Sequence, residues 1–564
     1  MRWARILACA PFAAELVCAR EGGNAMAVTA SALSESYYPA DQSEPVLDTT
    51  VGGILRDAAQ AVPDQPALIG GHPDPAERRR WTYVELLDDA ERCARALLGR
   101  FEPGERVAVW APNLPEWEVV EFGAGLAGLI LVTVNPAYKP SELKYVLEQS
   151  ASAGVFLMPE FRGNPMAQSL KSVRRELPGL REAMSFGDFE AFLTSGSATE
   201  RLPDVGPDDP VQIQYTSGTT GFPKGALLHH RGLTNNARMT LGQFDFVPGE
   251  AYVNPFPLFH TAGCGLGALG CVSHQLAHVP VLAFEAGLML DLIESERAAA
   301  LAGVPTVLIA LTEDPGFDAR DLSSVRAALS GGALVAPNLV KRIEDRLGVR
   351  FSIIYGQTES SPVITQGRLD DSFEDRATTI GRPLPQTEVR IVDPTSGDTV
   401  PCGVVGELCT RGYLVMLGYY EMPDATAAAI DSEGWLHTGD LAMMDDRGHC
   451  RIEGRLKDMI IRGGENIFPR EIEQRLFTHA AVGDVAVVGI PDEKWGEQVC
   501  AFVRAAPGAK PQKDELNDHV RAELAAYKAP RIWVFVEEFP MTPSGKVQKF
   551  VLRERFLAGE LRPV

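Results

Sequence analysis

Residues 215–225 read YTSGTTGFPKG and follow directly on VQIQ, an apolar run with strand-like alternation. Within these eleven positions stand four hydroxyls (Thr216, Ser217, Thr219, Thr220), three glycines (Gly218, Gly221, Gly225) and Lys224. Glycines let successive backbone N–H groups turn toward an anion, the hydroxyls add donors, and the lysine supplies charge, so the stretch reads as a phosphate cradle. It is not a Walker A loop. Pro223 stands five residues after Gly218, where that motif has its second glycine, and Lys224 is followed by Gly225 instead of Ser or Thr. A phosphate-binding loop after a strand belongs to an open α/β sheet, where ligands gather beyond the strand ends.

The flanking sequence agrees. From about residue 50 to 380 short apolar runs (RVAVWA at 106–111, LILVTV at 129–134, GVFLM at 154–158) alternate with helical patterns. Thr82 and Glu85 predict a capping box opening a helix with the apolar face Leu86, Ala90, Cys93, Ala94 and Leu97. Such alternation implies doubly wound α/β layers. Residues 381–454, rich in Gly, Asp and β-branched residues, predict short antiparallel strands. Residues 455–564 carry their own pattern, with a helix from Pro469 and strands in DVAVVGI, QVCAFVRA and RIWVFV. The expected fold class is therefore α/β multidomain, with a large unit over 48–454 and a small α+β unit over 455–564. Residues 1–47 are expected to be a disordered leader. Its first part, MRWARILACAPFAAELVCAR, loosely resembles a secretory signal; a start at Met26 is the favoured reading, with a disordered extension or a cleaved signal as the alternatives. The arginine triplet 78–80 is expected at a solvated hairpin edge.

Composition narrows the function. The 564 residues carry 53 Lys+Arg against 75 Asp+Glu, a formal net charge of −22, which argues against nucleic acid or anionic lipid as partner. Nine cysteines occur singly, without a C-x-x-C pair, a pattern of a reducing compartment and hence of a cytoplasmic protein. Residues 261–284 carry no formal charge, but His274, Gln275, His278, Pro280 and four glycines interrupt them. They read as a buried wall, not a membrane span. Cys264, Cys271, His274 and His278 in this wall have zinc-like spacing, a reading that a glycine-rich substrate wall disfavours.

Four further motifs follow the cradle: YGQTESSP (355–362), GWLHTGD (434–440), GRLKDMIIRGGENIFPREIE (454–473) and TPSGKVQK (542–549). Glu359, at a strand end, is a carboxylate placed to hold a hard cation such as Mg²⁺, and Asp440 is placed to accept hydrogen bonds from ribose hydroxyls. Together and in this order the five motifs, spanning about residues 48–552, resemble the adenylate-forming superfamily of acyl-CoA synthetases, nonribosomal-peptide adenylation domains and beetle luciferases.

The resemblance implies a mobile C-terminal domain, with an active site between it and the large domain. It implies that Thr216, Ser217, Gly218, Thr219, Thr220, Gly221 and Lys224 wrap pyrophosphate, and that Thr216 and Glu359 bind Mg²⁺ with ATP. Gly331, Gly332, Ala333 and Tyr355 would pack on adenine, with Gly356, Gln357 and Thr358 beside them. Asp440 would hold the ribose, and Arg455 ribose or phosphate. Lys546 would reach in to catalyse adenylation, alongside Thr216, Lys224 and Glu359. Lys457 would be the hinge, and Gly463, Gly464 and Glu465 would line the path of the CoA thiol. His260 would gate the acyl pocket, and Gly263, Gly265, Gly267 and Gly270 are expected to leave room along one side of it.

The resemblance thus implies ATP-dependent activation of a carboxylic acid and transfer to CoA, releasing AMP and pyrophosphate. The segment NPFPLFHTAGCGLGALGC (254–271) contains no acidic residue to pair with a substrate amine, so a hydrophobic acid is expected, foremost a medium- to long-chain fatty acid. An aryl or arylpropenoic acid, a carrier protein as acceptor, and a non-catalytic nucleotide-binding module are the alternatives.

Overall fold

The computed structural model describes residues 32–216, 223–463, 465–541 and 547–564. Ser217, Gly218, Thr219, Thr220, Gly221, Gly464 and Lys546, and the proposed initiator Met26, lie outside the described residues.

The cradle sits on the largest sheet. Strands Arg106–Trp110, Ile130–Val134, Gly154–Leu157, Glu182–Ser185 and Pro210–Thr216 run parallel, and Lys224–His229 and Gly418–Tyr419 add an antiparallel edge. Arg106–Trp110, Ile130–Val134 and Gly154–Leu157 are buried along nearly their whole length and their sequences are near-continuous apolar runs, as parallel strands covered by helices on both faces require. The capping box forms as expected, and Leu86, Ala90, Cys93, Ala94 and Leu97 are all buried on that helix.

A second sheet joins the parallel strands Ala300–Ala302, Ala327–Gly331 and Arg350–Gly356 to antiparallel Val363–Gln366 and Arg382–Pro383. A third joins Ala251–Asn254, Ala277–Pro280 and Pro66–Ile69 in parallel, with Arg80–Thr82 antiparallel at its edge. Strands Thr387–Val392, Gly406–Gly412, Leu436–Met444 and Cys450–Arg455 form an antiparallel sheet with its own apolar core. The fifth sheet draws all its strands from residues 460–535, around Ile460, Val487, Phe502 and Trp533.

Two expectations need correction. Residues 32–47 are not a disordered lead-in: Tyr37–Tyr38 pairs antiparallel with Arg390 and Val389, and the Tyr37 hydroxyl donates to Glu388 at 2.7 Å. The segment looks irregular in sequence because one short edge strand carries no periodicity of its own. The arginine triplet does lie on an edge hairpin, but Arg78 is buried against Glu296. Arg80 pairs with the same carboxylate, while Arg79 bonds Asp89 and stacks on Trp81.

Candidate active site

Thr216 ends its strand opposite Lys224, and its Oγ1 lies 3.4 Å from the Lys224 carbonyl. The described ends of the cradle are therefore held by ladder pairing. Lys224 Nζ sits 4.0 Å from the centroid of the Tyr419 ring, and the Tyr419 hydroxyl donates to Glu359 Oε1 at 2.7 Å. Glu359 lies in a short 3₁₀ turn, Thr358–Ser360, at the end of strand Arg350–Gly356, and is buried. The cradle lysine thus meets the face of the Tyr419 ring, and the carboxylate meets its hydroxyl.

On the other side of that strand end stands the candidate ribose group. The Tyr355 hydroxyl donates to Asp440 Oδ2 at 2.8 Å, and Arg455 Nε lies 3.1 Å from Asp440 Oδ1. Burial and the Asp440 charge push the Tyr355 phenol well above its ordinary range, so it remains a donor. Gly331 is the register partner of Ile354, the residue before Tyr355, and Gly332 follows with φ +75°. A Cβ at Gly331 would lie 2.6 Å from the Ile354 carbonyl, so this close approach requires glycine. Gly331, Gly332, Tyr355 and Gly356 thus share the carboxyl end of two adjacent parallel strands, where open α/β sheets bind ligands.

Asp440 owes its position to a bulge. Cys409 pairs with His437 and Glu407 with Leu441, so the single residue Leu408 faces Thr438, Gly439 and Asp440. Glu407 occupies the break: its Oε1 accepts the Gly439 N–H at 3.0 Å and its Oε2 lies 2.8 Å from His437 Nδ1. Thr438 Oγ1 donates to the Leu408 carbonyl and accepts from the Asp440 N–H. Bulges redirect side chains in this way beside functional sites.

Lys457 lies in the 3₁₀ turn Leu456–Asp458, immediately after the last strand of the antiparallel sheet. Desolvation lowers its ammonium below the ordinary lysine range. Gly463 has φ +63°, donates its N–H to the Trp495 carbonyl at 2.7 Å, and lies against the Trp495 ring. Glu465 is exposed on the adjoining strand Glu465–Ile467.

The proposed acyl wall is a π-helix, Ala262–Leu269, whose entry turn is built on the His260 carbonyl: it accepts from Gly263 N at 2.8 Å and Cys264 N at 3.1 Å. The His260 ring lies 4.3 Å from that of Phe259. The expectation that glycines here leave room is corrected at most of them. A Cβ would meet the Pro257 carbonyl at 2.1 Å from Gly263, Asn254 Nδ2 at 2.2 Å from Gly267, and Leu241 at 2.7 Å from Gly270. These glycines permit close packing; only Gly265, with Leu233 at 3.7 Å, has ordinary space. Three of the four zinc-spaced residues are committed to separate partners: His278 Nδ1 to Glu118 at 2.8 Å and Nε2 to Asn254 at 2.9 Å, His274 to the Arg238 carbonyl, and Cys264 to Gln214. Cys271 is a buried free thiol.

Sequence reasoning missed Tyr419, Glu407 and two buried carboxyls, Glu118 and Glu121, that back the wall from helix Pro115–Leu126. Burial pushes Glu121 well above the carboxylate range, and it accepts from Gln212 at 2.6 Å. Charged residues inside an apolar helix pattern were the available signal for the two glutamates. Tyr419, in the apolar run LVMLGYY, offered none.

Comparison with known proteins identifies the family of the chain. The family described as AMP-binding enzyme matches residues 55–420, and its C-terminal domain matches residues 471–546. YngI of Bacillus subtilis (strain 168) is 42% identical over 539 residues, covering 90% of this chain and 97% of YngI. The mitochondrial medium-chain acyl-CoA ligase ACSF2 of Bos taurus is 37% identical over 545 residues, 90% of this chain and 87% of its own. Among solved structures, ATP-bound MatB from Rhodopseudomonas palustris superposes with a TM-score of 0.82 at 28% identity, covering 90% of this chain and 99% of its own. A Mycobacterium tuberculosis fatty acyl CoA synthetase does so with 0.74 at 30% identity, with the same coverage. The folds share a large α/β domain and a small C-terminal one, and among the described residues no helix is long and apolar enough to cross a membrane. With a family match across most of its length and relatives well above 30% identity, this chain belongs to the AMP-binding enzymes.

Proposed function

We propose that this protein is an acyl-CoA synthetase that activates a medium- to long-chain fatty acid with ATP and passes the acyl group to CoA. The observation that carries the reading is the convergence, at one strand end, of Lys224 and Glu359 about Tyr419 with Tyr355, Asp440 and Arg455. The kinship with ACSF2, named a medium-chain acyl-CoA ligase, supports the acid class.

A carboxylate is a poor electrophile, so its oxygen must first attack the α-phosphate of ATP, giving an acyl adenylate and pyrophosphate. Two anions meet in that step, and the chain's net charge of −22 opposes both. Screening over roughly 8 Å leaves nearby charge in control. Lys224, Arg455 and Lys546 are the cations assigned to that task, acting by preorganised charge. The donor set fits Mg²⁺: Glu359 is a buried carboxylate and Thr216 a hydroxyl, both hard oxygen ligands. When bound, Mg²⁺ would neutralise phosphate charge. Asp440 would accept from the ribose while Tyr355 and Arg455 hold its carboxylate in place. The CoA thiol would then attack the adenylate carbonyl, entering past Gly463, Gly464 and Glu465, with AMP leaving. Lys457 is the proposed hinge between the two half-reactions, in domains bounded at 48–454 and 455–564.

The wall favours an apolar acid. Asn254 is engaged within it, its amide nitrogen by His278 and the Gly263 carbonyl and its oxygen by the Phe256 N–H, and no carboxylate stands in the segment 254–271 to pair with a substrate amine. We assign the enzyme to the cytoplasm, in keeping with seven free thiols among the described residues. The test is an acid panel from octanoate to palmitate with α-amino and aryl acids, scored for pyrophosphate release and then for the thioester by mass, with free CoA or a carrier protein as acceptor. Preferential octanoyl- to palmitoyl-CoA formation is expected. Efficient activation of α-amino acids, or transfer to a carrier protein alone, overturns the reading.

A further inference from the structure

We propose that Tyr419 is a positioning residue for adenylation, an aromatic spacer that orients Glu359 and Lys224 and keeps the two charges from pairing with each other; this rests on the roles given to those residues above. Its backbone is stitched to both. Strand Gly418–Tyr419 pairs with Leu227 and Ala226, two positions beyond Lys224, and the Tyr420 N–H reaches the Gly225 carbonyl at 2.8 Å. Three residues upstream, the Met416 N–H donates to the Glu359 carbonyl at 2.9 Å. One short segment thereby references the cradle and the carboxylate turn to the same frame.

The side chain completes the link. An ammonium and a carboxylate on facing elements would ordinarily close into an ion pair, and each would then be spent on the other. Here the Tyr419 ring offers Lys224 its electron-rich face at 4.0 Å, which holds the ammonium without cancelling its charge. The hydroxyl engages Glu359 Oε1 at 2.7 Å, which fixes the rotation of the carboxylate. Among the described residues no Lys224–Glu359 ion pair occurs and the one hydrogen bond to the Glu359 carboxylate is to Oε1, which leaves Oε2 to a hard cation. The polar tip and the ring face thus have separable tasks. Phenylalanine would keep the second and lose the first.

The experiment compares wild type, Tyr419→Phe, Tyr419→Leu, Glu359→Gln and the Glu359→Gln/Tyr419→Phe pair. Mn²⁺ binding is followed by electron paramagnetic resonance with a non-hydrolysable ATP analogue. Octanoate-dependent pyrophosphate exchange is measured against Mg²⁺ concentration, and octanoyl-AMP conversion by CoA is measured separately. Tyr419→Phe is expected to weaken Mn²⁺ binding about tenfold and to raise the Mg²⁺ requirement to match, the scale of one hydrogen bond to a charged group. Transfer from octanoyl-AMP should be unchanged. Tyr419→Leu should in addition raise the KM for ATP at saturating Mg²⁺, and the double variant should bind Mn²⁺ no worse than Glu359→Gln. Unaltered metal binding in Tyr419→Phe, or additive losses in the double variant, overturns the proposal. Should Tyr419→Leu fail to fold, Tyr419→Phe and the double variant still decide. A wild type inert toward octanoate would sink the fatty-acid reading instead, while the Mn²⁺ titration would still judge Tyr419.

Discussion

The Tyr355 hydroxyl and Asp440 Oδ2 lie 2.8 Å apart although they come from different sheets, one from the end of a buried strand and the other from a bulge. With Arg455 on the second oxygen, the carboxylate is held at both ends. Removing one such bond to a charged group costs about 1.5–3 kcal/mol. Tyr355→Phe is therefore expected to raise the KM for ATP roughly tenfold with little change in melting temperature, and Asp440→Asn to do more. Steady-state kinetics at saturating acid and CoA test this; an unchanged KM in both variants would remove the pair from the nucleotide site.

The two proposed half-reactions should separate by mutation. Lys546→Ala is expected to slow pyrophosphate exchange by ~10²–10³, the scale of one lost transition-state donor, and to spare transfer from pre-made acyl adenylate. Gly463→Val should do the reverse, because a side chain there collides with the Trp495 ring 2.7 Å away and crowds the proposed thiol path. Equal losses in both assays for both variants would argue for a single fixed site.

The glycines of the π-helical wall should differ in tolerance. Gly263→Ala places a methyl 2.1 Å from the Pro257 carbonyl and should destabilise by about 1–3 kcal/mol, whereas Gly265→Ala should be close to neutral. Chemical denaturation of both variants checks the order, and equal stabilities would contradict the packing.

Acid should weaken the fold through His230. Its ring is buried, its Nδ1 accepts the Val51 N–H at 3.1 Å, and burial lowers it to about 4. The unfolded chain, with a histidine near ~6.5, takes up a proton that the fold refuses. The contribution is therefore fully present above about pH 6.5 and is lost as pH falls toward 4, by roughly 3 kcal/mol at most. His230→Gln, which can still accept the Val51 N–H, should flatten that part of the stability profile measured by denaturant midpoints. A slope identical to wild type would refute the assignment.

Much of the architecture was legible because local rules and global fold agree. The capping box at Thr82 and Glu85 formed, and the buried face of its helix matches the 3.6-residue period. The run VQIQYT became a buried strand. The switch to short polar-flanked runs after residue 381 became antiparallel pairing. Harder to read were segments whose order comes from elsewhere. Tyr37–Tyr38 is a strand only because Arg390 and Val389 lie beside it, and Arg78 is buried only because Glu296, more than two hundred residues on, meets it there.

By itself the sequence determined the chemistry on offer: a hydroxyl- and glycine-rich loop with Lys224, and the motifs carrying Glu359, Asp440, Arg455 and Lys546, in an order that already resembled the adenylate-forming enzymes. These are signals of residue type and spacing along one segment, which local composition records. Only the tertiary structure decided how the groups are aimed. The two residues gained opposite Leu408 turn Asp440 toward Tyr355, with Glu407 filling the break. Tyr419 meets Lys224 with its ring and Glu359 with its hydroxyl. The wall glycines serve packing more than space. Each of these depends on the register between strands far apart in the chain, and no local pattern encodes that register; it is set when the sheets and their buried faces come together.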